Sequence, residues 1–184
     1  MNKHFETHKA TLVQPTEDLY IIDWRREDGR KHYWIRFFVD TKISSVHIEG
    51  DLGHCISCWG NENTLGNISD MMLNISYWIG KFCCSSDAYV YDEKIARQDL
   101  EKDTYDALED MTPEDYSDYI DAIMETFSDN FGLTLNTDSS REAMVELMGS
   151  DSLWERPHYG RKVHPRVCLW AEALDLALKQ LNLK

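Results

Sequence analysis

The first third of the chain contains side chains that can act as nucleophile, general base or metal ligand. They are His47, His54, Cys55 and Cys58. A nucleic-acid-modifying or thiol enzyme built on a cysteine–histidine pair is therefore one interpretation. A chain with five cysteines and seven histidines offers many such pairs, however, and it lacks the G-x-S-x-G, H-E-x-x-H, Walker A and G-x-G-x-x-G motifs. We therefore predict a protein that is not an enzyme and that needs no cofactor.

The C-x-x-C spacing of Cys55 and Cys58 is the first half of many zinc sites. The second half is missing, because Cys83 and Cys84 are adjacent in the sequence and neighbouring residues rarely bind one tetrahedral ion. Residues 54–59 are predicted to form a strand, which would direct the two thiols to opposite faces. No helix starts between them, as a thioredoxin-like site would require. We predict structural cysteines and no metal.

The second candidate functional feature is the acidic stretch DLEKDTYDALEDMTPEDYSDYIDA, Asp99 to Ala122. Between Asp87 and Asp129 there are 15 acidic and 3 basic residues, a net charge of −12 in a chain whose total is −14. Helical spacing places these acids in two rows. The first row contains Asp99, Asp103, Asp106 and Asp110, and the second contains Asp115, Asp118, Asp121 and Glu125.

Three interpretations of these rows are open. A solvated helical face is the simplest, because apolar residues occupy the remaining helix positions. A calcium loop is excluded, since the acids have helical spacing and no glycine occurs between Asp87 and Asp129. In the third interpretation the rows mimic a polyanion: carboxylates about 5 Å apart along a helix repel one another unless a basic partner neutralises them.

A basic loop, WERPHYGRKVHPR, follows the acidic helices. It interleaves Trp154 and Tyr159 with cations, and we predict that Arg156, Arg161, Lys162 and Arg166 contact RNA or DNA phosphates. Pairing of these cations with the protein's own acids is the alternative.

The elements that must position these residues begin with four predicted strands. LYIIDW (19–24) and HYWIRFFV (32–39) flank an Asp-Gly turn, and SVHIEG (45–50) and HCISCW (54–59) follow. Short connections between successive strands predict an antiparallel meander. An apolar helix over 67–82 is expected to cover one face of this sheet.

The remainder of the chain is predicted to be helical. Asp92 begins a helix that runs to about Leu108, and Thr112-Pro113 begins another that runs to about residue 127. A short helix opens at Ser139 or Ser140 and ends before Gly149. The last helix begins at His164-Pro165. We predict a single α+β domain over 1–184: a β-rich part (19–59) in which a helix covers a four-stranded meander, then an acidic, all-helical part (67–183).

The segment MNKHFETHKATL lacks the apolar h-region of a signal peptide, so we expect none. No run of about 20 apolar residues could span a bilayer. We therefore expect a cytoplasmic protein with reduced thiols.

Four segments of the chain are similar to those of a known family. They are the aromatic hairpin IIDWRREDGRKHYWIRFFVD, the GDLG turn (Gly50–Gly53), the strand ending at Trp59 and the C-terminal GRKVHPRVCLWAEALDLALKQL. They resemble a family of small proteins from phages and mobile elements of Gram-positive bacteria, over most of residues 19–183. This family includes type II-A anti-CRISPR proteins, which bind the RNA-guided nuclease of their host. The resemblance transfers no catalytic residue, and the Cys55/Cys58 pair departs from the family pattern.

Together these features predict a non-enzymatic inhibitor in the bacterial host cell. It would bind a guide-loaded type II CRISPR nuclease through the acidic helices and block DNA binding or cleavage. The loop over 154–166 would touch guide RNA or DNA. A non-catalytic phage regulatory or structural protein is the remaining alternative, beside the enzyme described above.

Overall fold

The computed structural model describes residues 3–30, 32–104, 111–125, 127–128, 134–135 and 159–184. The chain divides into two compact units. The first consists of Met1–Ala88 together with His164–Lys184, and the second of Tyr89–Val163. That they form a single domain stays a prediction.

The first unit is built on a six-stranded antiparallel sheet whose strands follow one another in chain order. The strands are β1 (His8–Pro15), β2 (Leu19–Arg26), β3 (Ile35–Asp40), β4 (Ser45–Gly50), β5 (Cys55–Cys58) and β6 (Phe82–Ser85). The predicted meander is confirmed for β2 to β5, but the sheet has two further strands. The outer strands were missed because HKATLVQP lacks a clear alternation and FCCS is only four residues long.

The third strand begins at Ile35 and not at His32 as predicted. Tyr33 has a φ of +59°, in the left-handed region that a strand cannot accommodate. Its backbone N–H donates to Asp51 Oδ2 at 2.7 Å, so this residue is held by the turn after β4 instead of by the ladder.

Alternate residues of the central strands face a common core. Ile22, Trp24, Phe37, Val39 and Ile48 are buried, whereas the residues between them are more exposed. This alternation is the expected signature of an antiparallel sheet with one covered face.

The helix expected over 67–82 is two shorter helices, α1 (Leu65–Leu73) and α2 (Ile75–Ile79). They are separated at Asn74, whose ψ of 80° is not helical. Thr64 caps α1 by accepting the Asn67 N–H at 3.2 Å, and Phe82 lies in β6.

The second unit contains helices and short strands, so the predicted all-helical half is wrong. Strand β7 (Tyr89–Tyr91) pairs antiparallel with β10 (Arg161–Val163), and β8 (Phe127–Ser128) pairs with β9 (Thr134–Leu135). Between them lie α3 (Glu93–Asp103) and α4 (Pro113–Glu125). The predicted helix after Ser139 lies outside the described residues.

Both helix starts in this unit agree with the prediction. Asp92 accepts the Ile95 N–H at 3.3 Å, and Thr112 accepts the Asp115 N–H at 3.2 Å. Both helices end earlier than expected, at Asp103 and Glu125.

The last helix, α5 (Pro165–Gln180), begins after His164 as predicted. It packs on β1, β2 and β3, and α1 packs against it. Its buried face includes Val167, Trp170, Leu174 and Leu178, all with no exposed surface. The C-terminal helix is therefore a principal cover of the sheet, a role that the sequence pattern had given to residues 67–82. No helix in the described part of the chain has the length and apolar character needed to cross a membrane.

Candidate acidic interface

The net charge of the protein is concentrated on its second unit. Residues 89–163 contain 19 acidic and 7 basic residues, a net charge of −12, whereas the first unit has 14 acidic and 12 basic residues, a net charge of −2. The second unit thus contains nearly all of the acidic region between Asp87 and Asp129.

A buried polar contact joins the end of α3 to α4. Tyr116 OH lies 2.5 Å from Thr104 Oγ1 and donates to the Glu101 carbonyl oxygen at 3.2 Å. Leu100 and Ile120 are fully buried beside it. The acids of α4 are therefore carried on a helix that is anchored to α3 by both polar and apolar contacts.

The structure describes two acids of the first predicted row, Asp99 and Asp103, which lie on α3. This helix ends at Asp103, and Asp106 and Asp110 lie outside the described residues. Asp99 is half-buried, and its Oδ2 accepts the backbone N–H of Gly160 at 3.0 Å. This carboxylate holds the turn before β10, and its role in the fold is structural.

Two acids of the second row are also engaged within the unit. Asp115 accepts the Thr112 hydroxyl at 2.6 Å while its N–H donates back to Thr112, a reciprocal helix cap. Asp121 forms an ion pair with Arg97, which also lies 3.5 Å from Glu101. Asp121 nevertheless keeps about half of its side chain exposed, at 54%.

The clearest exposed row lies along α4 and includes one residue that the sequence reasoning omitted. Glu114, Asp118 and Asp121 are spaced by four and three residues and are all exposed, and Glu125 continues the spacing by four. The same helix contains no lysine or arginine. Tyr116 and Ile120 are buried, which places the acidic row opposite the packed face. The i, i+4, i+7 spacing of Glu114 was visible in the sequence.

The predicted nucleic-acid residues belong to different units. The Arg161 guanidinium lies 5.5 Å from the centre of the Tyr89 ring, and Lys162 Nζ lies 3.0 Å from Asp92 Oδ2. This lysine is the main reason that the pKa of Asp92 is lowered. Arg166 lies in the first turn of α5 in the first unit, and Arg156 lies outside the described residues.

The histidines and cysteines over 47–58 lie in different surroundings. Cys55 is fully buried, and its burial raises the pKa of the thiol to about 12, which opposes a reactive thiolate. His47 is exposed and stacks on Phe38, and His54 Nδ1 lies 3.2 Å from Ser86 Oγ. Within the described ranges, no three histidine, cysteine or acidic side chains converge as metal ligands would.

No protein family, no curated protein and no solved structure matches this chain.

Proposed function

We propose that the protein is a non-enzymatic inhibitor that binds a guide-loaded type II CRISPR nuclease and blocks DNA binding or cleavage. The observation that carries the binding role is the exposed row Glu114, Asp118 and Asp121 on α4, a helix with five acids and no base. The identity of the partner rests on the resemblance of the chain to the phage family that includes anti-CRISPR proteins.

The physical argument is one of charge complementarity. A guide-loaded nuclease of this class has a positively charged channel for nucleic acid. A helix with exposed carboxylates about 4.5 to 6 Å apart along its axis offers such a surface an alternative to phosphates. The row repels itself in the free protein, and contact with a cationic surface removes that repulsion.

The test is a DNA-cleavage assay with a guide-loaded type II nuclease, titrated with this protein at low and high salt. We expect dose-dependent inhibition that weakens as salt increases, because charges near a surface are screened within about 10 Å at 0.1 M salt. A complete lack of inhibition against several nucleases of this type would contradict the proposed partner.

Charge reversal on α4 tests the proposed surface. The double variant Glu114→Lys/Asp118→Lys removes two exposed acids for which the structure shows no ion pair with a described residue. The matched control is Glu17→Lys/Glu62→Lys, which changes the net charge equally at exposed positions of the first unit. We expect the first variant to lose inhibition and the control to keep it, with circular dichroism confirming that both are folded. Equal loss in both variants would indicate a nonspecific effect of charge.

A further inference from the structure

A separate cleft lies in the first unit, between the Gly50–Gly53 turn and the start of α5. It has a volume of about 360 Å³. Leu52, Pro165 and Leu169 form its apolar walls, and Asp51, His164 and Arg166 are its charged and polar lining. Every residue named here belongs to one compact unit, so the cleft is independent of the acidic row on α4.

The guanidinium of Arg166 is unusual among the arginines of this unit. Arg26 lies 2.7 Å from Asp28 and Arg36 lies 2.5 Å from Asp23. Arg166 is half-buried, yet the ion pairs between described residues do not include it. Asp51 lines the same cleft, but no carboxylate of a described residue forms an ion pair with Arg166.

The contact between Arg166 and His164 also lacks a hydrogen-bond acceptor. The backbone N–H of Arg166 donates to His164 Nδ1 at 3.1 Å, so a neutral His164 carries its proton on Nε2. Nε2 lies 2.9 Å from Arg166 Nη2, which is itself always a donor. With the opposite tautomer the same conflict moves to Nδ1. One of the two contacts thus joins two donors, and an acceptor oxygen that takes the place of this contact would give both donors a partner.

The backbone of the helix terminus is not available for this purpose. The Arg166 N–H donates to the His164 ring and the Val167 N–H donates to the His164 carbonyl at 3.0 Å. The site depends instead on two side chains and on Gly53. Gly53 has a φ of +97°, and a Cβ there would lie 2.5 Å from Ser86 Oγ and 3.2 Å from Arg166 Nη1, so glycine leaves room for both side chains beside the turn.

We propose that this cleft binds a small carboxylate with an apolar body, whose oxygens accept from Arg166 Nη2 and from Nε2–H of His164. Guanidinium and carboxylate are matched in geometry, because two parallel N–H groups can meet two oxygens. The carboxylate of Asp51 on the cleft wall disfavours a doubly charged phosphate. Leu52, Pro165 and Leu169 provide a surface for an alkyl group.

The test is a titration followed by ¹⁵N–¹H NMR, with sodium acetate, isovalerate and inorganic phosphate at constant ionic strength. We expect saturable shifts at Gly53, Ser86 and Val167 with both carboxylates. Isovalerate should bind more tightly by on the order of tenfold, since its isobutyl group buries apolar surface. Absence of saturation with either carboxylate, or tighter binding of phosphate, would overturn the proposal.

Two variants and one control locate the ligand. Arg166→Gln should abolish binding of both carboxylates, and Leu169→Ala should reduce the advantage of isovalerate while retaining acetate. The control is Arg30→Gln, which removes an arginine of the β2–β3 hairpin that already lies 3.8 Å from Asp28. Binding that persists in Arg166→Gln, or that is lost in Arg30→Gln, would contradict the assignment. Should Arg166→Gln fail to fold, the Leu169→Ala result decides.

Discussion

The carboxylate of Asp99 accepts the backbone N–H of Gly160 at 3.0 Å, across 61 positions of the sequence. Gly160 is buried, and its carbonyl in turn accepts the Asp92 N–H at 2.8 Å. An acid that belongs to the most charged stretch of the chain is thus used to hold β10 beside α3. Some acidic residues of this segment therefore bond within the protein, as Asp99 does, whereas others, such as Asp118, face solvent.

Replacing Asp99 by alanine should destabilise the second unit. The Gly160 N–H would remain buried without an acceptor, which costs about 1 to 3 kcal/mol. Urea unfolding monitored by circular dichroism measures the loss. Asp118→Ala is the control, because that side chain is exposed, and its change in unfolding free energy should stay within about 0.5 kcal/mol. Equal effects of the two substitutions would contradict a structural role for Asp99.

Gly160→Ala should be more damaging than the same change at Gly60. Both glycines have positive φ, +73° and +78°, so both substitutions strain the backbone by about 1 kcal/mol. At Gly160 the added Cβ would also lie 2.7 Å from Tyr91 Cε2 and 2.8 Å from the Ala96 Cβ, whereas at Gly60 nothing lies within 4 Å. Thermal melting should show a clearly larger decrease in Tm for Gly160→Ala. Similar decreases would indicate that the packing against Tyr91 is loose.

The stability of the first unit should fall as the pH decreases from 7 toward 5. His8 is 4% exposed and stacks on Trp24, and burial followed by the charge of Arg26 lowers its pKa. The folded protein therefore keeps His8 neutral, while the unfolded chain takes up a proton near pH 6.5. The stability that this adds is present above pH 6.5 and is lost as the pH falls through 6.5 toward the lowered pKa.

Unfolding free energies at several pH values test this expectation. His164 also has a lowered pKa, from burial first and Arg166 second, and it acts in the same direction. The variant His8→Gln removes the contribution of His8 alone, so its stability should depend less steeply on pH between 7 and 5. An unchanged slope in His8→Gln would show that His8 does not titrate between the two states.

The cysteines should differ strongly in their reactivity toward iodoacetamide. Cys83, Cys84 and Cys168 are exposed, whereas Cys55 is fully buried and has a pKa of about 12. Mass spectrometry after brief labelling of the native protein should find Cys55 unmodified until urea is added. Early modification of Cys55 would contradict its burial and favour the interpretation of this protein as a thiol enzyme.

Much of the local structure was predictable because its signals lie within a few residues. The alternation in IRFFVD, the Thr112-Pro113 cap and the His164-Pro165 start each depend on neighbours, and the structure agrees with them. The central meander β2 to β5 follows from the short turns between its strands.

Elements with weak local patterns were not predictable in this way. Strands β1 and β6 owe their existence to ladders with β2 and β5, which give short or polar segments a partner. The break at Asn74 divides what the apolar spacing had presented as one helix, and β6 takes Phe82 from its end.

The sequence by itself determined three features of the protein: the concentration of negative charge in one region, the central meander and the starts of the main helices. Only the tertiary structure decided which acids face solvent, because that depends on residues distant along the chain. Arg97 forms an ion pair with Asp121, 24 residues away, and the Gly160 N–H donates to the Asp99 carboxylate. Asp118, in contrast, stays exposed. Periodicity assigns a residue to a helix face, but only packing determines whether that face meets water, a cation or a buried backbone N–H.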